Sequence, residues 1–270
     1  FDSGLGGLTV ARAIRAALPA ENILYFGDTA RLPYGTKSPE TVYRFTRQCL
    51  KFLMSMQPKM LVLACNTATA LALTRLKDDF PIPVIGVVEP GASAAAAVAR
   101  HGPQEIKRIG LIATEATIAS NAYPQAVRKL DPAIHVVGRA TPLLVPMIEE
   151  GREAADPVVK LVLREYLRPF LEMRVSALIL GCTHYPILAE AVQDVLGPDV
   201  ELIDSAEQTA LVVREQLAKM KALSNGSDSG AMTCYVTDQG QRFERLAGRF
   251  LGRPVGAPVW VGADELEGSG

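Results

Sequence analysis

The sequence has no CxxC pair, no Cys/His spacing of the zinc-binding kind, no GK[ST] phosphate loop and no GxGxxG turn. Those absences disfavour a dithiol oxidoreductase, a structural metal site and nucleotide binding. No apolar run approaches the roughly twenty residues that span a bilayer. Charge is balanced, 28 Lys and Arg against 29 Asp and Glu, so the basic excess with which proteins hold phosphate backbones is missing. The opening residues Phe1-Asp2-Ser3-Gly4 have neither the basic region nor the apolar stretch of a secretory leader. The four cysteines, Cys49, Cys65, Cys182 and Cys234, are scattered, and with no sign of export they are expected to be reduced thiols in the cytoplasm. Neither nucleic acid nor membrane is an expected partner.

What is present is length and rhythm. At 270 residues, 49% hydrophobic and 21% charged, the chain fits one large or two modest globular domains. Apolar runs at 22–27, 60–64, 84–88, 109–113, 135–138, 177–180 and 200–203 alternate with helix-patterned segments such as 8–18, 39–56, 67–79, 157–173 and 206–221. The runs are continuously apolar, as strands buried on both faces of a parallel sheet are. This rhythm predicts a doubly wound α/β fold. The phrase Leu61-Val62-Leu63-Ala64-Cys65-Asn66-Thr67 is echoed by Leu178-Ile179-Leu180-Gly181-Cys182-Thr183-His184. Each runs a buried strand into a cysteine, then hydroxyl or amide side chains, then a helix. A repeated βα module predicts two similar lobes: residues 1–88 with 208–270 around Cys65, and residues 89–207 around Cys182. The strand expected before Asp2 is essentially missing; 224–230 reads as a surface loop and 265–270 as a frayed tail.

Ligands of open α/β sheets bind beyond the carboxyl ends of the strands, where Cys65 and Cys182 both fall. Most free cysteines are small buried apolar residues, and Cys49 on a helix and Cys234 in a strand fit that description. The other two each end a strand and open a helix, whose N–H groups favour a thiolate. If the lobes face one another, both thiols enter one cleft. The glycines of Gly4-Leu5-Gly6-Gly7 allow a tight turn with backbone N–H groups facing an anion. Asp2 either caps the helix that follows or orients or deprotonates a nearby thiol. His184, two residues after Cys182, can tune that thiol or supply a proton, whereas His101 and His135 have no reactive context. Composition alone makes Glu149 a solvated helix-end residue. The turn-rich 28–35 loop brings Tyr34 and Gly35 to where they can close over a small ligand. Thr114 and Thr117 either cap a helix or, with Asn66, Thr67 and Thr183, supply neutral donors at strand ends, as a zwitterion with further carboxylates requires.

Four segments in order resemble the hallmark motifs of the glutamate racemases, within the aspartate/glutamate racemase superfamily. They are Asp2 to Val10 (DSGLGGLTV), Gly27 to Gly35 (GDTARLPYG), Ala64 to Ala68 (ACNTA) and Gly181 to Pro186 (GCTHYP). Val87 to Gly91 and Val236 to Asp238 are similar as well, so the resemblance covers nearly the whole chain. It implies two flavodoxin-like lobes with glutamate held between them, no cofactor or metal, and Cys65 and Cys182 on opposite faces of the substrate α-carbon. It implies substrate-binding or supporting roles for Asp2, Ser3, Pro33, Tyr34, Gly35, Asn66, Thr67, Thr114, Thr117, Thr183 and His184. Asp2 would assist Cys65, and His184 with Glu149 would assist Cys182. The family role implies D-glutamate supply for the bacterial cell wall, a cytoplasmic location and a homodimer.

Elementary chemistry agrees with that implication. Inverting a stereocentre by proton transfer needs removal on one face and delivery on the other, which two monoprotic thiols with tuned pKa values perform directly. One is thiolate while the other is thiol. Without an electron sink, close polar groups and fixed dipoles in a dry cleft must stabilise the carbanion. Aspartate or hydantoin racemisation by the same pair stays open, since nothing in the sequence measures the length of the substrate side chain. A two-lobed ligand-binding protein and a thiol redox protein are weaker alternatives.

Overall fold

The computed structural model describes residues 1–101, 107–226, 229–238 and 240–267. Its helices are α1 (Leu8–Ala17), α2 (Pro39–Met54), α3 (Asn66–Asp79), α4 (Val88–His101), α5 (Glu115–Ala119), α6 (Ala122–Leu130), α7 (Leu144–Glu149), α8 (Pro157–Met173), α9 (Ala189–Leu196), α10 (Ser205–Lys219), α11 (Gly240–Leu251) and α12 (Ala263–Glu267). Its strands are β1 (Ile23–Gly27), β2 (Leu61–Leu63), β3 (Val84–Gly86), β4 (Arg108–Ala113), β5 (His135–Ala140), β6 (Ala177–Gly181), β7 (Glu201–Ile203), β8 (Met232–Val236) and β9 (Val259–Trp260). The helices start where local chemistry dictates. Ser38 caps α2 ahead of Pro39, and Asp156 accepts from Val158 and Val159 ahead of Pro157 in α8.

The strands form two parallel sheets. One has the order β5-β4-β6-β7. The other consists of β1-β8-β9 and β2-β3, joined through the first two residues. Asp2 N donates to Phe26 O at 2.9 Å and Asp28 N to Asp2 O at 3.1 Å. On the other side, the Phe1 amino group donates to Val62 O at 2.8 Å and Ala64 N to Phe1 O at 2.8 Å. Phe1 and Asp2 thus hold a strand position between β1 and β2, where the sequence left a strand wanting.

Both sheets reverse direction beside a cysteine. From residues 1–2 the chain crosses to β1 on one side, then through α2 to β2 on the other, which ends at Cys65. From β4 it crosses to β5 on one side, then through α7 and α8 to β6 on the other, which ends at Cys182. Such switch points open crevices beyond the strand ends.

The predicted strand and helix positions hold to within a few residues, with three departures. The run at 84–88 stops at Gly86, because Glu89 and Pro90 suit a first helical turn and Val88 opens α4. Cys182 does not open an α-helix: a 3₁₀ turn at Tyr185–Leu188, with Pro186 in it, precedes α9. The expected tail forms α12, because Leu266 is buried against the first lobe's apolar core; residues 268–270 lie outside the described ones. Residues 224–226 and 229–230 are loop as expected, and 227–228 lie outside the described residues. Among the described residues no helix is long and apolar enough to cross a membrane.

Candidate active site

The crevices of the two sheets meet in one cleft of about 370 Å³, lined by Cys65 and Cys182 together with the strand-end residues of both. A larger cavity, about 450 Å³, lies among α1, β1 and β2 and contains neither of these cysteines. All four cysteines are free and buried. Cys49 on α2 and Cys234 on β8 lie within apolar clusters away from the cleft, as expected.

Cys65 ends the β2 segment and caps α3, accepting from Ala68 N at 3.4 Å; its thiol also lies 3.5 Å from Ser3 Oγ. The helix N-terminus does not dominate its acidity, contrary to the expectation from position alone. Burial pushes the thiol up to about 12, the Asp2 carboxylate adds to the rise, and the contacts from Ser3 and Ala68 offset only part of it. Asp2 is fully buried beneath the cleft floor. It does not cap α1: Oδ2 accepts from Gly4 N at 2.9 Å, and Oδ1 lies 3.5 Å from the Thr183 hydroxyl.

Around Cys182 the polarity is reversed. His184 Nδ1 is 3.8 Å from Cys182 Sγ, and Nε2 is 3.1 Å from Glu149 Oε1. Burial alone would lower the imidazole, but its bonds to Cys182 and Glu149 outweigh that and raise it to about 10. That shift favours the protonated imidazole beside the Glu149 carboxyl group, with side-chain exposures of only 7% and 11%. Glu149 is therefore no solvated helix end; the last turn of α7 turns it inward. The Phe250 ring packs edge-on against the imidazole at 5.2 Å.

The glycine turn borders the cleft at Gly4 and packs behind it against Thr183 and His184. A Cβ on Gly6 would lie 2.2 Å from Thr183 Oγ1 and 2.5 Å from His184 Nδ1, so only glycine permits this approach. The Tyr25 hydroxyl donates to Gly4 O at 2.8 Å and pins the turn. On another side Thr67 Oγ1 lies 2.9 Å from Thr114 Oγ1 and 3.2 Å from Thr117 Oγ1, a hydroxyl cluster that joins α3 to α5. The loop after β1 brings up Pro33, Tyr34 and Gly35. Among the described residues lining the cleft there is no Lys or Arg, so donors are hydroxyls, amides, backbone N–H groups and His184. No three His, Cys, Asp or Glu side chains among the described residues gather into a metal-binding group.

The Asp/Glu/Hydantoin racemase family matches residues 7–213. The chain belongs to that family. A glutamate racemase of Geobacter metallireducens is 48% identical over 256 residues, covering 95% of this chain and 93% of the relative. The glutamate racemase structure from Bacillus anthracis matches with a TM-score of 0.90 at 39% identity, over 96% of this chain and 95% of that one. That from Francisella tularensis, solved in complex with D-glutamate, matches with a TM-score of 0.88 at 39% identity, over 97% and 95%. The protein is thus an enzyme, an amino-acid racemase, with the two-lobed α/β fold of these relatives.

In this racemase Ser3, Pro33, Tyr34, Gly35, Cys65, Asn66, Thr67, Thr114, Glu149, Cys182, Thr183 and His184 all line the cleft. Asp2 and Thr117 do not; each lies one layer behind, against residues that do. Thr114 both caps α5, accepting from Thr117 N at 3.3 Å, and faces the cleft, so its two readings coexist. Tyr34 reaches the cleft, but its hydroxyl is committed to Asp28 Oδ2 at 2.5 Å. His101 and His135 are exposed and remote from it. The sequence reading missed Thr141 and Pro142, which follow β5; the strand-end rule applied to that run would have found them.

Proposed function

We propose that this racemase interconverts L- and D-glutamate without a cofactor, by proton transfer through Cys65 and Cys182. One observation carries the reading: two cysteines, each at the switch point of a different sheet, line the same small cleft. The relatives named for glutamate, one of them holding D-glutamate, support the substrate. A thiolate takes the α-proton on one face, and the opposite thiol gives its proton to the resulting carbanion on the other. The two sulfurs have then exchanged protonation states, which is the form that runs the reverse reaction; proton exchange with solvent restores the starting form. The hydroxyls of Thr67, Thr114 and Thr183, the Asn66 amide and the backbone N–H groups near Gly4 are the donors for the developing charge.

The supporting groups differ between the two sides. His184, oriented by Glu149, is placed to exchange a proton with Cys182. The carboxylate of Asp2 and burial keep Cys65 protonated until a ligand binds, and the substrate ammonium brings the compensating positive charge. We further assign residues 1–88 with 208–270 to the Cys65 lobe and 89–207 to the Cys182 lobe. The family resemblance supports a homodimer, a cytoplasmic setting and D-glutamate supply for peptidoglycan.

The deciding experiment is proton NMR of L-glutamate with the folded, reduced protein in D₂O, with chiral analysis of the same sample. Loss of the α-proton signal with appearance of D-glutamate is expected. Neither change, with exchange of L-aspartate instead, would replace glutamate by its shorter homologue. Cys65→Ala and Cys182→Ala are each expected to abolish racemisation; a Cys182→Ala variant that racemises fully would remove the two-thiol mechanism.

A further inference from the structure

Asn66 lines the cleft, but its side-chain oxygen is engaged elsewhere: the Tyr123 hydroxyl donates to Oδ1 at 2.6 Å. Tyr123 comes from α6, beside the second sheet, whereas Asn66 opens α3 beside the first. The phenol is fully buried in an apolar cluster. Ser205, the first residue of α10, packs beside it against Gly91 of α4. Burial raises the phenol above its ordinary pKa and Asp204 raises it further, so the phenol keeps its proton.

A phenol has one proton, and an amide has two donors on nitrogen and an acceptor oxygen. That proton goes to Asn66 Oδ1, the acceptor 2.6 Å away. An inverted amide would take the acceptor away and strand the phenolic proton among apolar side chains, at the cost of a buried unmade hydrogen bond. Gly91 lets α4 pack close to the phenol: a Cβ there would lie 3.0 Å from Ser205 Cβ and 3.5 Å from Tyr123 Oη.

We propose that Tyr123 is a positioning residue that locks the Asn66 amide with Nδ2 facing the cleft, where it donates to a carboxylate oxygen of the bound amino acid. The proposal rests on the cleft being the substrate site. With no Lys or Arg among the described residues lining the cleft, one oriented amide donor weighs heavily in binding. Tyr123 touches no reacting atom, so its effect belongs in KM.

Kinetics with L- and D-glutamate on the wild type, Tyr123→Phe, Asn66→Ala and the double variant test this. Tyr123→Phe is expected to raise KM about ten-fold in both directions, with kcat within about two-fold of wild type. In the Asn66→Ala background the same change should add nothing further, because the lock has lost its object. An unchanged KM in Tyr123→Phe, or additive effects in the double variant, would overturn the lock. If Tyr123→Phe folds poorly, Tyr123→Met serves, since it too removes the phenolic donor and frees the amide to turn; a KM rise of about ten-fold is expected there as well, and none would count against the proposal. A readout independent of substrate separates this from the glutamate reading. The Asn66 side-chain NH₂ signals in ¹⁵N spectra, assigned by their loss in Asn66→Ala, should shift in Tyr123→Phe or, if that variant folds poorly, in Tyr123→Met. If they do not move, the lock fails whatever the substrate; if wild type is inert to glutamate while they do move, the substrate reading fails alone.

Discussion

Burial acts on Cys65 and His184 in the same cleft with opposite net results, because only His184 has partners strong enough to reverse it. Burial holds the Cys65 thiol up at about 12, so at neutral pH its thiolate is far rarer than that of an exposed cysteine. Iodoacetamide at pH 7.5, followed by peptide mass spectrometry, should therefore leave Cys65 almost unlabelled in the native enzyme. Labelling at the rate seen in urea would show that burial does not hold the thiol protonated. His184 at about 10 stands above the 6.5 of an unfolded histidine. Its protonation therefore stabilises the fold fully below about pH 6.5, and the contribution falls by about 1.4 kcal/mol per pH unit until about pH 10. Urea midpoints of wild type and His184→Gln should converge over that window. A constant difference between them would show that the imidazole is not held protonated. Sequence position alone placed these residues in one cleft, but it misjudged the acidity of Cys65, because desolvation and the Asp2 carboxylate are properties of the packed molecule.

At the scale of elements, the loop after β1 is fixed by a carboxylate that faces away from the cleft. Asp28 is fully buried; it accepts from Arg31 Nε at 2.7 Å, from Tyr34 Oη at 2.5 Å and from the Thr237 hydroxyl at 3.0 Å. Arg31 extends the network to Gln48 and to Cys49 Sγ at 2.6 and 3.2 Å. The loop bearing Pro33 and Gly35 is thus anchored to α2 and to the end of β8. Asp28→Asn leaves Arg31 without its counter-charge and should cost roughly 2–4 kcal/mol of stability by urea denaturation. It should also raise KM, since the cleft wall loosens; wild-type values of both would remove this role. The turn residues of 28–35 made the loop legible in the sequence, and continuous apolar runs made the strands legible. Asp28 as the anchor was not legible, because its partner Thr237 lies 209 positions away. The two-residue β9 is too short to leave a pattern, and the 3₁₀ turn after Cys182 uses the same Pro and apolar residues that a helix start would.

Across the whole molecule, the cleft and the core are made from the same two halves. One apolar cluster joins Leu5, Leu8, Tyr25, Phe243 and Phe250 to Leu144, Ile148, Leu163, Leu180 and Cys182, so residues on both sides of the cleft share one interior. Such sharing predicts a single cooperative unfolding transition rather than separate melting of two lobes. The contact of Gly6 with Thr183 and His184 is the place to test how far cleft geometry depends on that union. A methyl group there must push the glycine turn away from the pair beside Cys182. Gly6→Ala should therefore cost about 1–3 kcal/mol, a fall of several degrees in Tm for a chain of this size. Wild type saturated with D-glutamate at about a hundred times Kd should gain about 2.7 kcal/mol, and the variant should gain far less, because binding needs both walls in register. Scanning calorimetry with and without D-glutamate reads all three quantities. A variant that melts lower but keeps the full ligand gain would mean that the turn serves folding alone. Loss of the gain with one intact transition would mean that closing the two walls on the substrate is what the glycine is there to allow.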